Sequence, residues 1–251
     1  MTHIVQSQSG RPATFPLKHI AAAALLALAG GAAPAAMAGV IDFNNFDNTF
    51  VGHTDYFETG GFRLTGESNV LGANPGDLVG AILDGSDRYS CDIACPTNNS
   101  SNYYAALNDG IVFLEASQPG GLVSVQGFDA SFIGHAQGIS YPAVSGLLRL
   151  QGFYADGSSV YETYQLGGPI GGNFLFQHYD TSSSFGSQQF ASVAFFGFSC
   201  NTAGSCSACS TNKGQFALDN IVASVPEPST YAMLLLGLAG VGFAARRRQQ
   251  A

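Results

Sequence analysis

Between residues 39 and 224 the apolar residues come in short stretches, each interrupted after a few positions by Gly, Asp or Asn. An amphipathic helix needs an apolar stripe sustained at a period near 3.6, and this region offers none. A strand needs only a few residues with alternating faces, and Gly, Asp and Asn supply the turns that join strands. The region is therefore expected to be all-β. The spacing suits about nine or ten strands in two packed antiparallel sheets, a sandwich of jelly-roll type.

Residues 147–166 carry the clearest pattern. Leu148 and Leu150 fall on one face, with Arg149 and Gln151 on the other. Ala155-Asp156-Gly157-Ser158 then turns the chain into a return strand from Val160 to Tyr164. A second hairpin is expected from strands at 103–107 and 111–115, with Gly110 of Asn108-Asp109-Gly110 giving the positive φ of the turn. A bulge is expected at Gly127, in a strand running from 122 to 132. Val40-Ile41-Asp42-Phe43 reads as the opening strand, with Ile41 and Phe43 facing inward, and residues 215–222 read as the closing one. Residues 69–95, rich in Gly, Asp and Asn, read as a long surface loop despite an apolar piece at 78–83. Phe195, Phe196 and Phe198 read as core packed from both faces of their strand. The glycines at 167–172 lack the order and the Lys of a phosphate-binding loop.

Both ends look like processing segments. Sparse positive charge (Arg11, Lys18), an apolar run at 20–29 and the small residues Ala36-Met37-Ala38 make an export leader, with the cut expected after Ala38. At the other end Val225-Pro226-Glu227-Pro228 precedes an apolar run at 229–245, closed by Arg246, Arg247 and Arg248. Seventeen residues of helix span about 26 Å at about 1.5 Å per residue, the lower limit for crossing a bilayer. Arginines directly after the run stay on the cytoplasmic side and leave the preceding domain outside. The two prolines keep the motif extended and accessible. The chain thus divides into a leader (1–38), an ectodomain (39–224) and a tail (225–251).

The order Val-Pro-Glu-Pro, short hydrophobic helix, Arg cluster closely resembles the PEP-CTERM sorting signal of Gram-negative bacteria. That resemblance implies processing by signal peptidase and by an exosortase. It also implies a precursor held transiently in the inner membrane, then delivery to the cell surface or extracellular matrix, with exopolysaccharide and biofilm as the setting. Gln215-Phe216-x-x-Asp219 resembles the QFxxD signature of one subgroup. Such a tail is also catalogued as an ice-binding-protein C-terminal region, but the ectodomain has no regular Thr-rich repeat to present to ice. The closing Ala-Leu-Asp-Asn-Ile at 217–221 resembles the last strand of carbohydrate-binding jelly rolls.

Charge and cysteines narrow the partners. Residues 39–224 hold four basic and 16 acidic side chains, a net charge of −12, which repels phosphate backbones and argues against nucleic acid. In an exported chain the five cysteines are expected to form disulfides, Cys91 with Cys95 and Cys200 with either Cys206 or Cys209, leaving one thiol over. Cys206-x-x-Cys209 has zinc spacing but lacks a second pair of ligands nearby.

For chemistry, the acid excess suggests structural calcium. Asp42 and Asp47 near the first strand are placed to converge with Asp219 in the last, if those strands lie together. His53-x-Asp55 and His178-x-Asp180 offer acid–base pairs, yet no G-x-S-x-G elbow or activated cysteine accompanies them, so no catalytic residue is assigned and the ectodomain is read as non-enzymatic. The more specific alternative is a carbohydrate-binding module. There Tyr103, Tyr104, Tyr154, Tyr161, Tyr164 and Tyr179 would stack on sugar rings, without help from tryptophan, which the chain lacks. A secreted polysaccharide hydrolase is the weaker alternative.

Overall fold

The computed structural model describes residues 36–226, apart from 88–90, 92, 210 and 211, together with Gly237 and Gly240. The strands are β1 (Ala36–Ile41), β2 (Thr49–Gly52), β3 (Tyr56–Thr59), β4 (Phe62–Glu67), β5 (Leu78–Asp84), β6 (Asn102–Ala106) and β7 (Ile111–Ala116). They continue with β8 (Ser124–Phe132), β9 (Val144–Phe153), β10 (Ser159–Gly167), β11 (Gln177–Asp180), β12 (Ser192–Cys200), β13 (Cys206–Ser207) and β14 (Phe216–Pro226). One short helix, α1 (Ser183–Gly186), precedes β12. The first sheet runs β11-β8-β14-β6-β5-β2, with β1 also paired to β14. The second runs β10-β9-β12-β7-β4-β3, with β13 on β12. Every strand pair is antiparallel.

The sandwich expected from the sequence is therefore present, with more strands than the nine or ten counted. Alternation is clean in the second sheet. Leu148 and Leu150 are fully buried, while Arg149 and Gln151 face out. The β9–β10 turn closes as its residues suggest, with Gly157 at φ 84° donating to the Tyr154 carbonyl at 3.0 Å. Between the sheets lie Phe43, Phe62, Phe128, Phe132, Phe195 and Phe216, each almost without exposure.

Three readings need correction. The apolar piece at 78–83 is not surface loop: it is β5, with Val79 to Leu83 buried. Its outer face is covered as well, because Cys91, Ile93 and Cys95 pack on Leu83, Tyr103, Ala105 and Ala217. A strand buried on both faces loses the period-2 pattern. The stretch 103–115 is not a hairpin either. β6 lies in the first sheet and β7 in the second, so Asn108-Asp109-Gly110 carries the chain across the sandwich. Asn108 and Asp109 take the positive φ values (55° and 54°), and Gly110 serves close approach instead. A Cβ there would lie 2.1 Å from the Val79 carbonyl oxygen.

The bulge expected at Gly127 is present: between the Val222–Gly127 and Ala223–Val125 pairs β8 advances two residues against one of β14. A second irregularity lies on the facing strand. β14 slips against β8 between Asp219 and Val222, with Asn220 at φ 47°. Finally, Phe195 alone of its trio is core. Phe196 and Phe198 lie half-buried on the outer face under Arg149, whose guanidinium is 4.9 Å from the Phe198 ring centre and 4.4 Å from that of Tyr161.

One core side chain is imperfectly satisfied. Tyr104 is fully buried among the phenylalanines, its hydroxyl has no protein hydrogen-bond partner, and burial pushes its pKa up. Gly80 makes room for it, since a Cβ there would meet the Tyr104 hydroxyl at 2.5 Å. Tyr104→Phe removes the unpaired hydroxyl and is expected to raise unfolding free energy by up to about 1 kcal/mol in urea titration. A loss of stability of similar size would show that the hydroxyl is satisfied after all.

Candidate functional site

A cleft of about 1400 Å³ lies beside the segment that covers the outer face of the first sheet. Three segments line it: residues 84–87, 91 and 93–100 between β5 and β6, residues 136–141 between β8 and β9, and residues 169–174 before β11. The first is long and would carry many loose backbone groups if it were free. It is tied down at several points instead. Cys91 and Cys95 are disulfide-bonded. Ala94 exchanges backbone hydrogen bonds with Gly134, at 3.0 and 2.9 Å. The Asn98 side chain accepts from the Phe176 N–H at 2.7 Å and donates to the Phe176 carbonyl at 3.1 Å, in place of a strand partner.

Asn99 and Ser101 tie the far end of this wall to Asp219. Asn99 Nδ2 donates to Asp219 Oδ2 at 2.7 Å and Ser101 Oγ donates to the same oxygen at 3.0 Å. Asn99 Oδ1 accepts from the Ser101 N–H at 2.8 Å, and the Asn220 N–H donates to Asp219 Oδ1 at 2.8 Å. Asp219 is fully buried, and burial raises its pKa against the pull of these hydrogen bonds. The sequence placed Asp219 opposite Phe216 and Leu218, and it is; that opposite face is covered by the 99–101 segment.

Tyr141 is the partly exposed ring of the cleft, and Tyr103 and Phe174, each only 2% exposed, lie buried in its floor. The Tyr141 ring meets Phe174 edge to face at 5.1 Å. Its hydroxyl donates to the Ala136 carbonyl at 2.7 Å and accepts from the Ala136 N–H at 3.0 Å, which fixes the loop carrying it. Around these rings lie side-chain amides and hydroxyls, among them Thr97, Ser100, Gln137 and Asn173. Of the six tyrosines named from the sequence, only Tyr103 lines this cleft. Tyr104 is core, Tyr161 covers Arg149, Tyr164 and Tyr179 pack on Phe128, and Tyr154 packs on Phe190. Tyr141 was missed as a site residue because it sits in a loop with no pattern around it.

The other nominated groups are dispersed. β1 does pair with β14, as the calcium reading required. Yet Asp42 accepts from the Asn44 N–H, Asp47 lies in the following loop, and both Asp219 oxygens accept from N–H or O–H donors. Among the described residues no group of three or more His, Cys, Asp or Glu side chains is placed to hold a metal ion. His53 Nδ1 contacts Glu67 at 2.8 Å instead of Asp55, whose carboxylate accepts from the Gly52 N–H. His178 Nδ1 lies 2.7 Å from Asp129 and Nε2 lies 3.3 Å from Asp180, a clasp joining the edge strand β11 to β8. Cys200 pairs with Cys206, and Cys209 is the exposed free thiol. Gln215 is buried just ahead of β14, and its carbonyl accepts from the Ile133 N–H at 3.2 Å.

At the ends, Ala36 and Ala38 lie in β1 and Val225 and Pro226 in β14. Glu227, Pro228, the run at 229–245 and Arg246 to Arg248 lie outside the described residues, Gly237 and Gly240 excepted, as does the leader before Ala36. Among the described residues no helix is long and apolar enough to cross a membrane.

Two measurements follow. Asn99→Ala leaves Asp219 buried with fewer donors and is expected to lower unfolding free energy by about 1–3 kcal/mol in urea titration; an unchanged midpoint would show that Asn99 does not support the carboxylate. For His178, the hydrogen bond to Asp129 raises the imidazole pKa above 6.5, with Asp180 assisting. Its contribution is fully present below about pH 6.5 and is lost as pH rises through the raised value. The stability difference between wild type and His178→Ala should therefore shrink with rising pH, and a difference that grows would refute the clasp.

Residues 224–248 match the PEP-CTERM protein-sorting motif. Among the curated proteins no match to this chain is found. Solved structures with a related arrangement include an arabinose-bound GH51 α-L-arabinofuranosidase, at 10% identity and TM-score 0.40, covering 78% of this chain and 27% of that one. This chain thus spans about a quarter of that enzyme's length. The C-terminal family 22 carbohydrate-binding module of Clostridium thermocellum Xyn10B matches at 9% identity and TM-score 0.33, covering 75% of this chain and 94% of that one. A CBM61 module in complex with β-1,4-galactotriose matches at 10% identity and TM-score 0.30, covering 64% and 86%. The sorting motif implies export, surface sorting and processing by an exosortase.

Proposed function

We propose that this exosortase substrate is a non-enzymatic surface or extracellular-matrix protein of an exopolysaccharide-producing Gram-negative bacterium, and that its cleft binds a glycan chain. On this reading the tail holds the precursor in the inner membrane until it is processed.

The observation that carries the glycan reading is the makeup of the cleft. A sugar ring offers an apolar C–H face and a rim of hydroxyls that both donate and accept. An aromatic ring with amides and hydroxyls around it matches it, as the partly exposed Tyr141, backed by buried Phe174, does beside Gln137 and Asn173. Walls already fixed by a disulfide and by Asn98, Asn99 and Tyr141 lose little freedom on binding. The net charge of −12 over residues 39–224 favours a neutral chain over an acidic one. The His–carboxylate contacts of His53 and His178 join strands and neighbouring turns, and the cleft includes neither histidine.

The test is a glycan array probed with the disulfide-intact ectodomain. Neutral polysaccharides are expected to bind, Tyr141→Ala to weaken binding about tenfold, and Tyr141→Phe, which keeps the ring, to retain most of it. A wild-type protein that binds no glycan, or a Tyr141→Ala variant that binds undiminished, would remove this reading.

A further inference from the structure

The two processing signals at opposite ends of the sequence are strand partners. In the β1–β14 ladder Ala36 pairs with Pro226, Met37 with Val225 and Ala38 with Ser224, followed by Gly39 with Ala223, Val40 with Val222 and Ile41 with Ile221. The small-residue leader end therefore lies along the first half of Val-Pro-Glu-Pro. On its other side β14 pairs with β8 only as far as Ser224. Among the described residues, Val225 and Pro226 have no strand partner other than Met37 and Ala36.

We infer that removal of the leader unmasks the sorting motif. A cut after Ala38 takes away the strand partners of Ser224, Val225 and Pro226 and leaves those of Ile221, Val222 and Ala223 in place. The last strand then ends, as a fully paired element, at Ala223, and Val225 and Pro226 are left without a strand partner. An enzyme that binds its substrate as an added strand needs that unoccupied backbone edge. Pro226 and Pro228 strengthen the effect, since proline holds the chain extended and cannot rejoin a helix. In a precursor that keeps its leader, β1 occupies one edge of Val225 and Pro226 and competes with a processing enzyme that adds on that side. The position of the leader cut thus decides both where the folded ectodomain stops and where the accessible tail starts. The inference rests on the leader reading of Ala36 and Ala38 and on the sorting motif. It adds an order of events, N-terminal cut before C-terminal cut.

The experiment follows both termini of the full chain by mass spectrometry in a host with the matching exosortase. Wild type is expected to begin at Gly39 and to be cut near Pro226. Ala36→Leu with Ala38→Leu, too large for the signal peptidase pocket, should keep the leader and reduce C-terminal cutting about tenfold, as expected for losing access to a few strand hydrogen bonds. Adding Met37→Pro to that uncleaved chain breaks the β1–β14 pairing and should restore C-terminal cutting while the leader stays on. If the leader-retaining chain is cut at the C-terminus as fast as wild type, masking is wrong although the leader reading stands. If Met37→Pro restores nothing, tethering explains the block and masking is again wrong. A wild-type N-terminus upstream of Gly39 would overturn the leader reading itself, and with it the unmasking. A wild-type C-terminus left uncut would overturn the C-terminal processing on which it depends.

Discussion

A carboxylate without access to water sits in the middle of the first sheet. Asp219 on β14 lies directly opposite Asp129 on β8, and Asp129 lies opposite His178 on β11. Two like charges side by side across a ladder repel, and burial makes the repulsion worse. The arrangement holds because each oxygen has a donor. Asn220 separates the two carboxylates: its N–H serves Asp219 and its Nδ2 serves Asp129, both at 2.8 Å. Reaching both requires the bulge and the positive φ at that residue. His178 takes the other oxygen of Asp129, while Asn99 and Ser101 take the second oxygen of Asp219. The last strand, the edge strand and one wall of the cleft are therefore linked through a single row of polar side chains.

That row explains why residues 93–101 are held as a wall of the cleft. Asp219 fixes one end through Asn99 and Ser101, and Asn98 fixes the neighbouring stretch to Phe176. The disulfide between Cys91 and Cys95 closes a short loop, and with Ile93 it lays apolar surface on the outside of β5, β6 and β14. Covering that face gives the domain a second, smaller core and at the same time raises the rim of the cleft. A similar device acts at the other turn, where buried Asp109 accepts from the N–H groups of Asn212 and Gly214 and so ties the β6–β7 crossing to the approach of β14. Stability and site are built from the same contacts. A cleft whose walls are held this way needs little further ordering when a ligand arrives.

Much of this was legible in advance, for physical reasons that differ from element to element. Leu148, Leu150 and Arg149 declare their faces because the second sheet has one wet side, so alternation survives in the sequence. Residues 78–83 hide theirs because both sides are covered, and a run of apolar residues between glycines looks the same in a loop. The turn at 108–110 has hairpin residues, yet nothing local records whether the next strand returns to the same sheet or crosses to the other. Tyr141 carries no pattern at all; its place in the cleft depends on loops brought together from distant parts of the chain.

By itself the sequence determined the class of fold, the acidic and exported character of the domain, the pairing of Cys91 with Cys95 and the address in the tail. All of these are local properties: short apolar periods, charge, spacing and a contiguous motif. Tertiary structure alone decided that Cys200 takes Cys206 rather than Cys209 and that Asp219 is held by Asn99 and Ser101 rather than joined by Asp42 and Asp47. It also decided that Val225 and Pro226 lie against Met37 and Ala36. Each of these depends on which of several chemically acceptable partners the packing of two sheets brings within reach, and nearness in space is not written at any one position of the chain.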